Sequence, residues 1–485
     1  MKRFWVAAGI LAIIAASIAL PCTIISGKAK NNEVWAGNNE DFYFDFNTYL
    51  NVLPREGELL GAVSFTYRSP DSFIQGGFNE AGLFFDFNAL PAIPESDWKD
   101  WGKRKKFPGS EQALVEHMLR KCATVQDVID LTKEYEMQLT NAQIHLADKQ
   151  GNLAVINESG IRISQSHYQV STNFNIFTRG PSDGGPLCWR YPIAERMFKE
   201  REVSLETIRD ILDATQQPRY VGTIYSNVIN LTTGDATNYF AGDFKNPYHF
   251  NLKELLKKGK KSFLWRSLFP DAPIVRIWET YLAEGSKAAL ELFRKIKEGI
   301  PQPRRSEILR HVFSSCVLSE NKYVDAKVFF DEWLAVNDGK DKMTNFYQGL
   351  VQLTNGAFET AKASFAAQIN ADTQDEGNRQ SSPSAARAFL DKLKGETPAG
   401  ANTRFELKGY QDAKFVCVVG IGWLPISNFL LKTDDGWAAD FALPPGKNHY
   451  AFLVDGKTVF DPANPEKEEI DTEDGKMTLN VVVVK

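Results

Sequence analysis

The sequence is poor in the residues that build metal and redox centres. It has six histidines and only five cysteines in 485 residues. The histidines are scattered, no two cysteines form a CxxC pair, and the odd number of widely spaced cysteines selects no disulfide framework. Phosphate-binding loops and the Gly-x-Ser-x-Gly nucleophile elbow are also absent from the sequence. We therefore predict neither a metal site nor a bound cofactor. The cysteines are Cys22, Cys122, Cys188, Cys316 and Cys417.

The sequence also lacks an excess of basic residues. Fifty-six lysines and arginines stand against 61 aspartates and glutamates, which gives a net charge of -5. Nothing in this balance indicates a nucleic-acid partner. The hydrophobic fraction of 43% and the charged fraction of 24% are those of an ordinary globular protein. The length leaves room for about three domains.

Residues 1–21 have the pattern of an export signal. One lysine and one arginine precede the uncharged residues 4–20. Ala19 suits the third position before a cut at Cys22, whereas Pro21 does not suit the last position. The uncharged stretch is slightly long for a signal and slightly short for a membrane span. The sequence thus predicts a protein exported to the periplasm or secreted. An uncleaved anchor or a lipid on Cys22, either of which would attach the chain to a membrane, stays open.

Cleavage directly before Cys22 would place a thiol and a free α-amine on one residue. A nucleophile needs a base that takes its proton. An α-amine, with an ordinary pKa of about 7.7–8.0, is a suitable base near neutral pH. This combination is typical of an N-terminal nucleophile (Ntn) hydrolase, and a lipid on the amine would abolish it.

The pattern of apolar residues predicts a first domain of strands, helices and strands over residues 22–255, which is an α+β class. Its first part is a hairpin within residues 22–50. Two helices are predicted, one after Ser110 and one that begins with a capping box at Thr124. The other predicted strands cover residues 59–67, 83–91, 142–147, 153–156, 168–172, 223–231 and 237–240.

The rest of the chain is predicted to form two further domains. Residues 256–400 lose the strand signal and form a helical connector, in which residues 346–369 resemble one tetratricopeptide (TPR) unit. Residues 401–485 return to short strands separated by turns, which predicts a small β-sandwich.

Four motifs of the first domain occur in the order found in a known family. Cys22-Thr23 is followed by a hairpin and by Gly-Asn-Asn-x-Asp, which ends at Asp41. Asn79-Glu80-Ala81-Gly82-Leu83 comes next, then Asn88 before a proline, then Val-Ser-Thr-Asn ending at Asn173. The set resembles the choloylglycine hydrolase family, which includes bile salt hydrolases, penicillin V acylases and acid amidases. The resemblance implies the αββα layered sandwich of Ntn hydrolases over residues 22–255.

The resemblance also implies roles for individual residues. Cys22 would be the nucleophile and its own amine the proton shuttle, with Asp41 holding the amine. Asn88, through its backbone N–H, and Asn173, through its side-chain amide, would stabilise the oxyanion. The family uses an arginine after its Thr-Asn element, and Arg190 matches best, although Arg196 competes for the role.

Plain structural roles are the alternatives for these residues. Asp41 would then be a turn carboxylate, Asn88 and Asn173 would serve strand ends and turns, and Arg190 would pair at the surface. One departure from the family pattern stands out: Asn38 occupies the place of an arginine. This removes a cation from beside the thiol. Either the nucleophile is tuned differently, or substrates with an anionic group near the amide are disfavoured, or the protein is inactive.

The C-terminal domain has a resemblance of its own. Its Lys-Thr-Asp-Asp-Gly-Trp, Leu-Pro-Pro-Gly and Phe-Leu-Val-Asp-Gly segments are similar to the glycogen-binding domain of AMP-activated protein kinase β subunits. Such domains stack sugars on exposed rings, and Trp423 matches one of these positions. Thr458 occupies the place of a second tryptophan, and Trp437 is predicted to be core. Carbohydrate binding and a purely structural role both remain possible readings of this domain.

The sequence therefore predicts an exported cysteine amidase. It would hydrolyse a linear C–N amide bond of an N-acylated small molecule through an acyl-enzyme on Cys22. Bile amides, penicillin V, acyl-homoserine lactones and N-acyl amino acids all remain open as substrates. The alternative is an inactive, membrane-anchored or lipidated envelope protein that uses the hydrolase fold and the β-sandwich to bind partners.

Overall fold

The computed structural model describes residues 22–43, 46–178, 188–217, 221–319, 321–337, 341–374, 382–421, 424–472 and 475–485. The chain divides into two compact units, Met1–Val275 and Arg276–Lys485. The predicted export signal lies outside the described residues. Within the described ranges, no helix has both the length and the apolar character needed to cross a membrane.

The first unit contains two antiparallel sheets. One has six strands in the order β10-β1-β2-β11-β12-β13, and the other has eight in the order β14-β3-β4-β5-β6-β7-β8-β9. The strands are β1 Thr23–Lys28, β2 Val34–Tyr43, β3 Thr48–Leu53, β4 Ala62–Tyr67, β5 Gly76–Asn79, β6 Leu83–Ala89, β7 Ala142–Asp148, β8 Leu153–Asn157, β9 Gly160–Ile163, β10 Tyr168–Ser171, β11 Val221–Asn230, β12 Asp235–Phe240, β13 Tyr248–Asn251 and β14 Lys261–Leu264. Antiparallel sheets together with helices confirm the mixed α and β class that the sequence predicts.

Two pairs of helices cover the outer faces of these sheets. α1 (Glu111–Lys121) and α2 (Val125–Glu134) share an apolar core with the eight-stranded sheet. α3 (Arg190–Glu200) and α4 (Leu205–Ala214) pack in the same way on the six-stranded sheet. A short α5 (Leu252–Leu256) follows β13. The predicted capping box of α2 is confirmed, because Thr124 and Asp127 satisfy each other's backbone N–H groups.

The inner faces of the two sheets meet directly. Ser26 Oγ on β1 lies 2.8 Å from His145 Nε2 on β7. The rings of Phe65 on β4 and Tyr225 on β11 pack with centroids 5.8 Å apart. Because side chains alternate along a strand, Cys22 points to the same inner face as Ser26, whereas Thr23 points to the outer helices.

Several elements of the first unit were not predicted from the sequence. The helices α3 and α4 and the strands β3 and β9 were missed, and α3 carries Pro192 in its first turn, where a missing N–H is tolerated. The prediction that strands end at residue 255 was wrong, because β14 pairs with β3 along the edge of the eight-stranded sheet. A four-residue edge strand gains its stability from this pairing, which its own apolar pattern does not reveal.

The second unit begins with helices that have an aromatic core. Trp333, Phe313 and Tyr347 are buried, with Phe313 in edge contact with both other rings. The expectation of helices in this part of the chain is confirmed. They are α6 Pro273–Glu284, which crosses the boundary between the units, α7 Ser286–Ile296, α8 Gln302–Leu318, α9 Tyr323–Asn337, α10 Thr344–Thr354, α11 Phe358–Gln374 and α12 Ser382–Leu393.

The C-terminal part of the second unit consists of two small sheets. Their strands are β15 Thr403–Lys408, β16 Val416–Val419, β17 Leu431–Lys432, β18 Gly436–Phe441, β19 Gly446–Val454, β20 Lys457–Val459, β21 Lys467–Thr472 and β22 Gly475–Val484. Side chains of both sheets meet in one apolar core, in which Trp437 is 1% exposed, as predicted. Trp423, the predicted sugar platform, lies outside the described residues. The TPR-like connector and the glycogen-binding-like sandwich stay predictions.

Candidate active site

Cys22 lies at the start of β1, beside the C-terminal half of β2. The antiparallel ladder pairs Thr23 with Asn39, and continuing this register by one residue sets Cys22 opposite Glu40. Cys22 and Glu40 therefore share the inner face, where the two sheets meet. Asp41 points to the outer face, towards α3.

On the inner face, the thiol contacts a carboxyl group. Cys22 Sγ lies 3.7 Å from Glu40 Oε1 and 3.8 Å from the backbone oxygen of Asp41. Glu40 is held from two sides: the Tyr67 hydroxyl donates to Oε1 at 2.5 Å, and Asn38 Nδ2 is 3.5 Å from Oε2. Cys22 and Glu40 are each 5% exposed. The nucleophile predicted from the sequence is thus buried against an acidic neighbour.

On the outer face, Asp41 joins the site to α3 and β11. The Thr223 hydroxyl donates to Asp41 Oδ1 at 2.5 Å, and the Arg190 guanidinium lies 3.6 Å from Oδ2. Arg190 also donates to the Thr23 hydroxyl at 2.8 Å. Within the described part of the chain, Asp41 Oδ2 accepts no hydrogen bond. A buried carboxylate oxygen beside a strand end is a suitable partner for an additional donor such as an ammonium group.

Asn88 approaches Cys22 from the other sheet. Its Nδ2 lies 3.3 Å from the Cys22 carbonyl oxygen, and Gln143 Nε2 lies 3.5 Å from its Oδ1. Gln143 is itself anchored by the Thr172 carbonyl at 2.8 Å. The structure thus places the side-chain amide of Asn88 at the backbone of Cys22, whereas the family resemblance implies a role for its backbone N–H.

Asn173, two residues after the end of β10, connects Asn88's strand to Arg190. Its Nδ2 donates to the Ala89 carbonyl at 2.8 Å, and its Oδ1 accepts from Arg190 at 2.7 Å. All five residues that the sequence singled out are therefore brought together. The competition between the two arginines is decided by burial, because Arg190 is 1% exposed whereas Arg196 is exposed at the surface.

Burial and like charges shift the ionisation of this site. Burial, followed by Glu40 and Asp41, raises the pKa of Cys22 well above its usual value. Burial raises the pKa of Glu40 to about 7. Burial also raises the pKa of Asp41 to about 8, because it outweighs the attraction of Arg190 and the hydrogen bond from Thr223. The thiol is therefore protonated at neutral pH unless a base or a cation is added beside it.

Asn38 belongs to a row of hydrogen-bonded asparagine side chains. Its Oδ1 accepts from Asn227 Nδ2 at 2.7 Å, and Asn227 Oδ1 in turn accepts from Asn238. All three amides lie on the inner face of the six-stranded sheet and are buried. A neutral network thus fills the place in which the family pattern has an arginine, with its amide directed at Glu40.

Sequence reasoning missed several residues of the site. Glu40 was passed over as the variable position of the Asn-x-Asp motif, although the two-residue alternation of β2 sets it on the face of the thiol. Tyr67, Thr223 and Gln143 belong to other strands, and no local pattern marks them. They were found only because the register and the stacking of the sheets bring them to Cys22.

The remaining chemistry-bearing residues serve the core. His145 lies between Ser26 and the Ser171 hydroxyl, which is 2.8 Å from Nδ1, and burial lowers its pKa to about 3. It is neutral, and it lies in a strand as predicted. Cys122 and Cys417 are buried. Among the described residues, no group of histidine, cysteine, aspartate and glutamate side chains is arranged to hold a metal ion.

No protein-family model and no curated protein sequence matches the chain. Solved structures similar to it include a penicillin V acylase from Agrobacterium tumefaciens, 16% identical with a TM-score of 0.38, over 50% of this chain and 90% of that one. A conjugated bile acid hydrolase from Clostridium perfringens is 12% identical with a TM-score of 0.39, over 50% of this chain and 96% of that one. A thermostable penicillin G acylase from Alcaligenes faecalis is 10% identical with a TM-score of 0.27, over 40% of this chain and 52% of that one. These identities and TM-scores are low, so the case for a function rests on the side chains around Cys22.

Proposed function

We propose that the chain, once cleaved before Cys22, hydrolyses a linear C–N amide bond of an N-acylated small molecule. One observation carries this proposal. Five residues chosen from the sequence alone come together, although the strands and helices that carry them are far apart in the chain: Cys22, Asp41, Asn88, Asn173 and Arg190. In the proposal, the predicted leader directs the chain to the periplasm or the outside of the cell, where cleavage creates the free amine.

The reaction would take place in two halves. The α-amine of Cys22 takes the thiol proton, and the sulfur attacks the amide carbon to form a tetrahedral intermediate. The C–N bond then breaks, the ammonium returns its proton to the leaving nitrogen, and the acyl group stays on sulfur as a thioester. In the second half, water attacks the thioester while the amine accepts a proton from it. Carboxylic acid is released and the thiol regains its proton.

Two features support the amine as the base. The thiol needs a base that takes its proton, because burial and the neighbouring carboxyls raise its pKa. Cleavage before Cys22 would add an amine at the strand end beside Glu40 and Asp41, which becomes a cation when it takes the thiol proton, and Asp41 Oδ2 accepts no hydrogen bond among the described residues. A positive charge there stabilises both the carboxylates and the thiolate. The same charge is absent while the leader is attached.

The two asparagines support stabilisation of the intermediate. Asn88 Nδ2 already lies 3.3 Å from the Cys22 carbonyl, close to the reacting sulfur. Asn173 is oriented by Arg190, which holds its Oδ1 and so turns its nitrogen towards Ala89. Donors fixed before the reaction are the most effective ones, and the loss of one typically lowers the rate by about 10²- to 10³-fold.

The alternative of an inactive binding protein is favoured by one observation. Asn38 and its amide network replace a cation beside the thiol, and every ionisable neighbour that raises the Cys22 pKa is a carboxyl group. In that case the hydrolase fold and the β-sandwich would both serve to bind partners. Carbohydrate binding is part of this alternative, and retention of the protein on insoluble α-glucan measures it.

The test begins with the N-terminus. Intact mass and N-terminal sequencing of the exported protein are expected to show a chain that starts at unmodified Cys22. Incubation with a panel of N-acyl amides should then give an acyl adduct on Cys22, which Cys22→Ala abolishes. A mature chain that retains residues 1–21, a lipid on Cys22, or turnover that survives Cys22→Ala would refute the proposal. Cys188→Ala, which removes another buried thiol of the first unit, is the matched control.

A further inference from the structure

The inner face beside Cys22 carries two buried carboxyl groups. Glu40 Oε1 is 3.7 Å from the thiol sulfur. Asp86 lies on β6 two residues before Asn88, so the alternation of the strand points both side chains to the same face. Asp86 is 1% exposed. The two carboxyls come from different sheets, and the negative charge of each raises the pKa of the Cys22 thiol.

Only one of the two carboxylate oxygens of Asp86 accepts a hydrogen bond from a described residue. Its Oδ1 accepts the Phe87 N–H at 2.7 Å, whereas Oδ2 has no hydrogen-bond partner among the described residues. The neighbouring strand makes room for this carboxyl, because Gly76 pairs with Asp86 and a Cβ at Gly76 would lie 2.8 Å from Asp86 Cγ. A buried acceptor without a donor is costly. An oxygen in this position indicates a donor that arrives with a ligand.

Among the described residues, no lysine or arginine side chain pairs with Glu40 or Asp86 on this face. Asn38 Nδ2, near Glu40 Oε2 at 3.5 Å, is a neutral donor. Arg190, the buried cation of the site, lies on the other side of β2 with Asp41. Burial raises the pKa of Glu40 to about 7, and burial followed by Glu40 raises that of Asp86 well above its usual value. A cation placed between the two carboxyls would relieve this destabilisation.

We infer that the substrates carry a cationic group on the amine half of the amide, as in an N-acylated diamine, and that Glu40 and Asp86 bind it. This inference rests on the function proposed above. The amine half is assigned because the stacked rings of Phe42 and Tyr67, with centroids 5.0 Å apart, offer an apolar surface that suits the acyl half. In the tetrahedral intermediate, the leaving nitrogen is two bonds from the sulfur, so a cation one or two carbons further reaches Glu40.

The test uses three amides that share one acyl group and differ in the charge of the amine half. They are an N-acylglycine (anionic), an N-acylglycinamide (neutral) and an N-acyl-1,2-diaminoethane (cationic). The measured quantity is the ratio of kcat/KM for the cationic amide to that for the anionic amide. Because each ratio is taken within one protein, a change in the folded fraction cancels.

The mature protein should prefer the cationic amide by at least about 10-fold. Glu40→Gln and Asp86→Asn should each reduce the ratio by about 10- to 100-fold, the range for a hydrogen bond to a charged group. Glu254→Gln removes a carboxylate from the exposed surface of α5 and should leave the ratio unchanged. Asn38→Arg should shift the ratio towards the anionic amide, because it adds a cation beside Glu40.

Two outcomes overturn the inference, and they can be told apart. If Cys22 is acylated by the neutral amide but the ratio is near one, or is the same in Glu40→Gln and Asp86→Asn as in the unaltered protein, the substrate assignment is wrong and the amidase remains. If none of the three amides acylates Cys22 with any acyl group tried, the proposed function is wrong as well.

Discussion

Replacing Glu40 by glutamine should stabilise the protein at high pH and have little effect at low pH. Glutamine keeps the shape of the side chain and still accepts a hydrogen bond from Tyr67, whose hydroxyl lies 2.5 Å from Glu40 Oε1. It removes only the ionisation. The experiment therefore isolates what the buried charge costs the fold, separately from any effect on catalysis.

The sign follows from the direction of the pKa shift. Burial raises the pKa of Glu40 to about 7 from an ordinary value near 4.5. Below pH 4.5 the carboxyl is protonated in both the folded and the unfolded chain, and stability does not depend on it. As the pH rises towards 7, the unfolded chain loses this proton while the folded chain keeps it. Stability is lost over this window and then levels off.

The size of the effect is the shift multiplied by about 1.4 kcal/mol per pH unit. A shift of about 2.5 units corresponds to roughly 3 kcal/mol. For a unit of this size, 1 kcal/mol changes Tm by about 2–4 °C, so Glu40→Gln should raise Tm by roughly 6–12 °C at pH 8. At pH 4.5 the two proteins should melt together. The charge of Glu40 also raises the pKa of Cys22, Asp41 and Asp86, and these three residues are the same in both proteins.

Scanning calorimetry of the uncleaved chain at several pH values is the direct assay, because the two units can give separate transitions. The control is Glu254→Gln, whose exposed carboxylate pairs with Lys257 at the end of α5. It should change the free energy of unfolding by no more than about 0.5 kcal/mol at any pH, with a correspondingly small change in Tm. In the cleaved chain, the new ammonium of Cys22 should reduce the effect. A difference between Glu40→Gln and the unaltered protein that is the same at pH 4.5 and pH 8 would refute the reasoning.

Three further predictions concern the site and its supports. In the mature chain, the acylation rate should rise with pH through the ordinary range of an α-amine, about 7.7–8.0, as the amine loses its proton and becomes a base; a stopped-flow pH profile that is flat from pH 6 to 9 would contradict this. Asn88→Ala should lower acylation by about 10²- to 10³-fold with little change in the mature N-terminus, and Asn175→Ala, outside the site, is the control for single-turnover measurements. Gly37→Ala should destabilise the first unit by about 1–3 kcal/mol in denaturant unfolding, because its Cβ would lie 2.7 Å from the Asn227 carbonyl and from Ile208 on α4; equal stability would argue against the packing of α4 on β2.

Local features of the fold could be predicted because their causes are local. The capping box at Thr124 joins residues three apart, and the hairpin of β1 and β2 closes over a short polar turn. The edge strand β14 and the helix α3 could not be predicted in this way. The first depends on a partner strand some two hundred residues earlier, and the second has a proline within its first turn.

For the site, as for the fold, local features could be predicted from the sequence and long-range contacts could not. The sequence by itself determined the order and identity of Cys22, Asp41, Asn88 and Asn173, because each stands in a short motif that resembles the family pattern and can be recognised without a fold. Only the tertiary structure decided that Arg190 and not Arg196 joins them, since 167 residues separate Arg190 from Thr23. It also decided that an acidic face surrounds the thiol.

Glu40 shows most clearly why the two differ. Its position is read from the sequence at once, two residues after the Asn38 that replaces an arginine. Its ionisation cannot be predicted from the sequence. The ionisation depends on burial, on the Tyr67 hydroxyl and on Asp86, which other strands and the opposite sheet supply. The charge of a carboxyl group depends on how well water and its neighbours solvate it. That environment exists only once the two sheets have packed together.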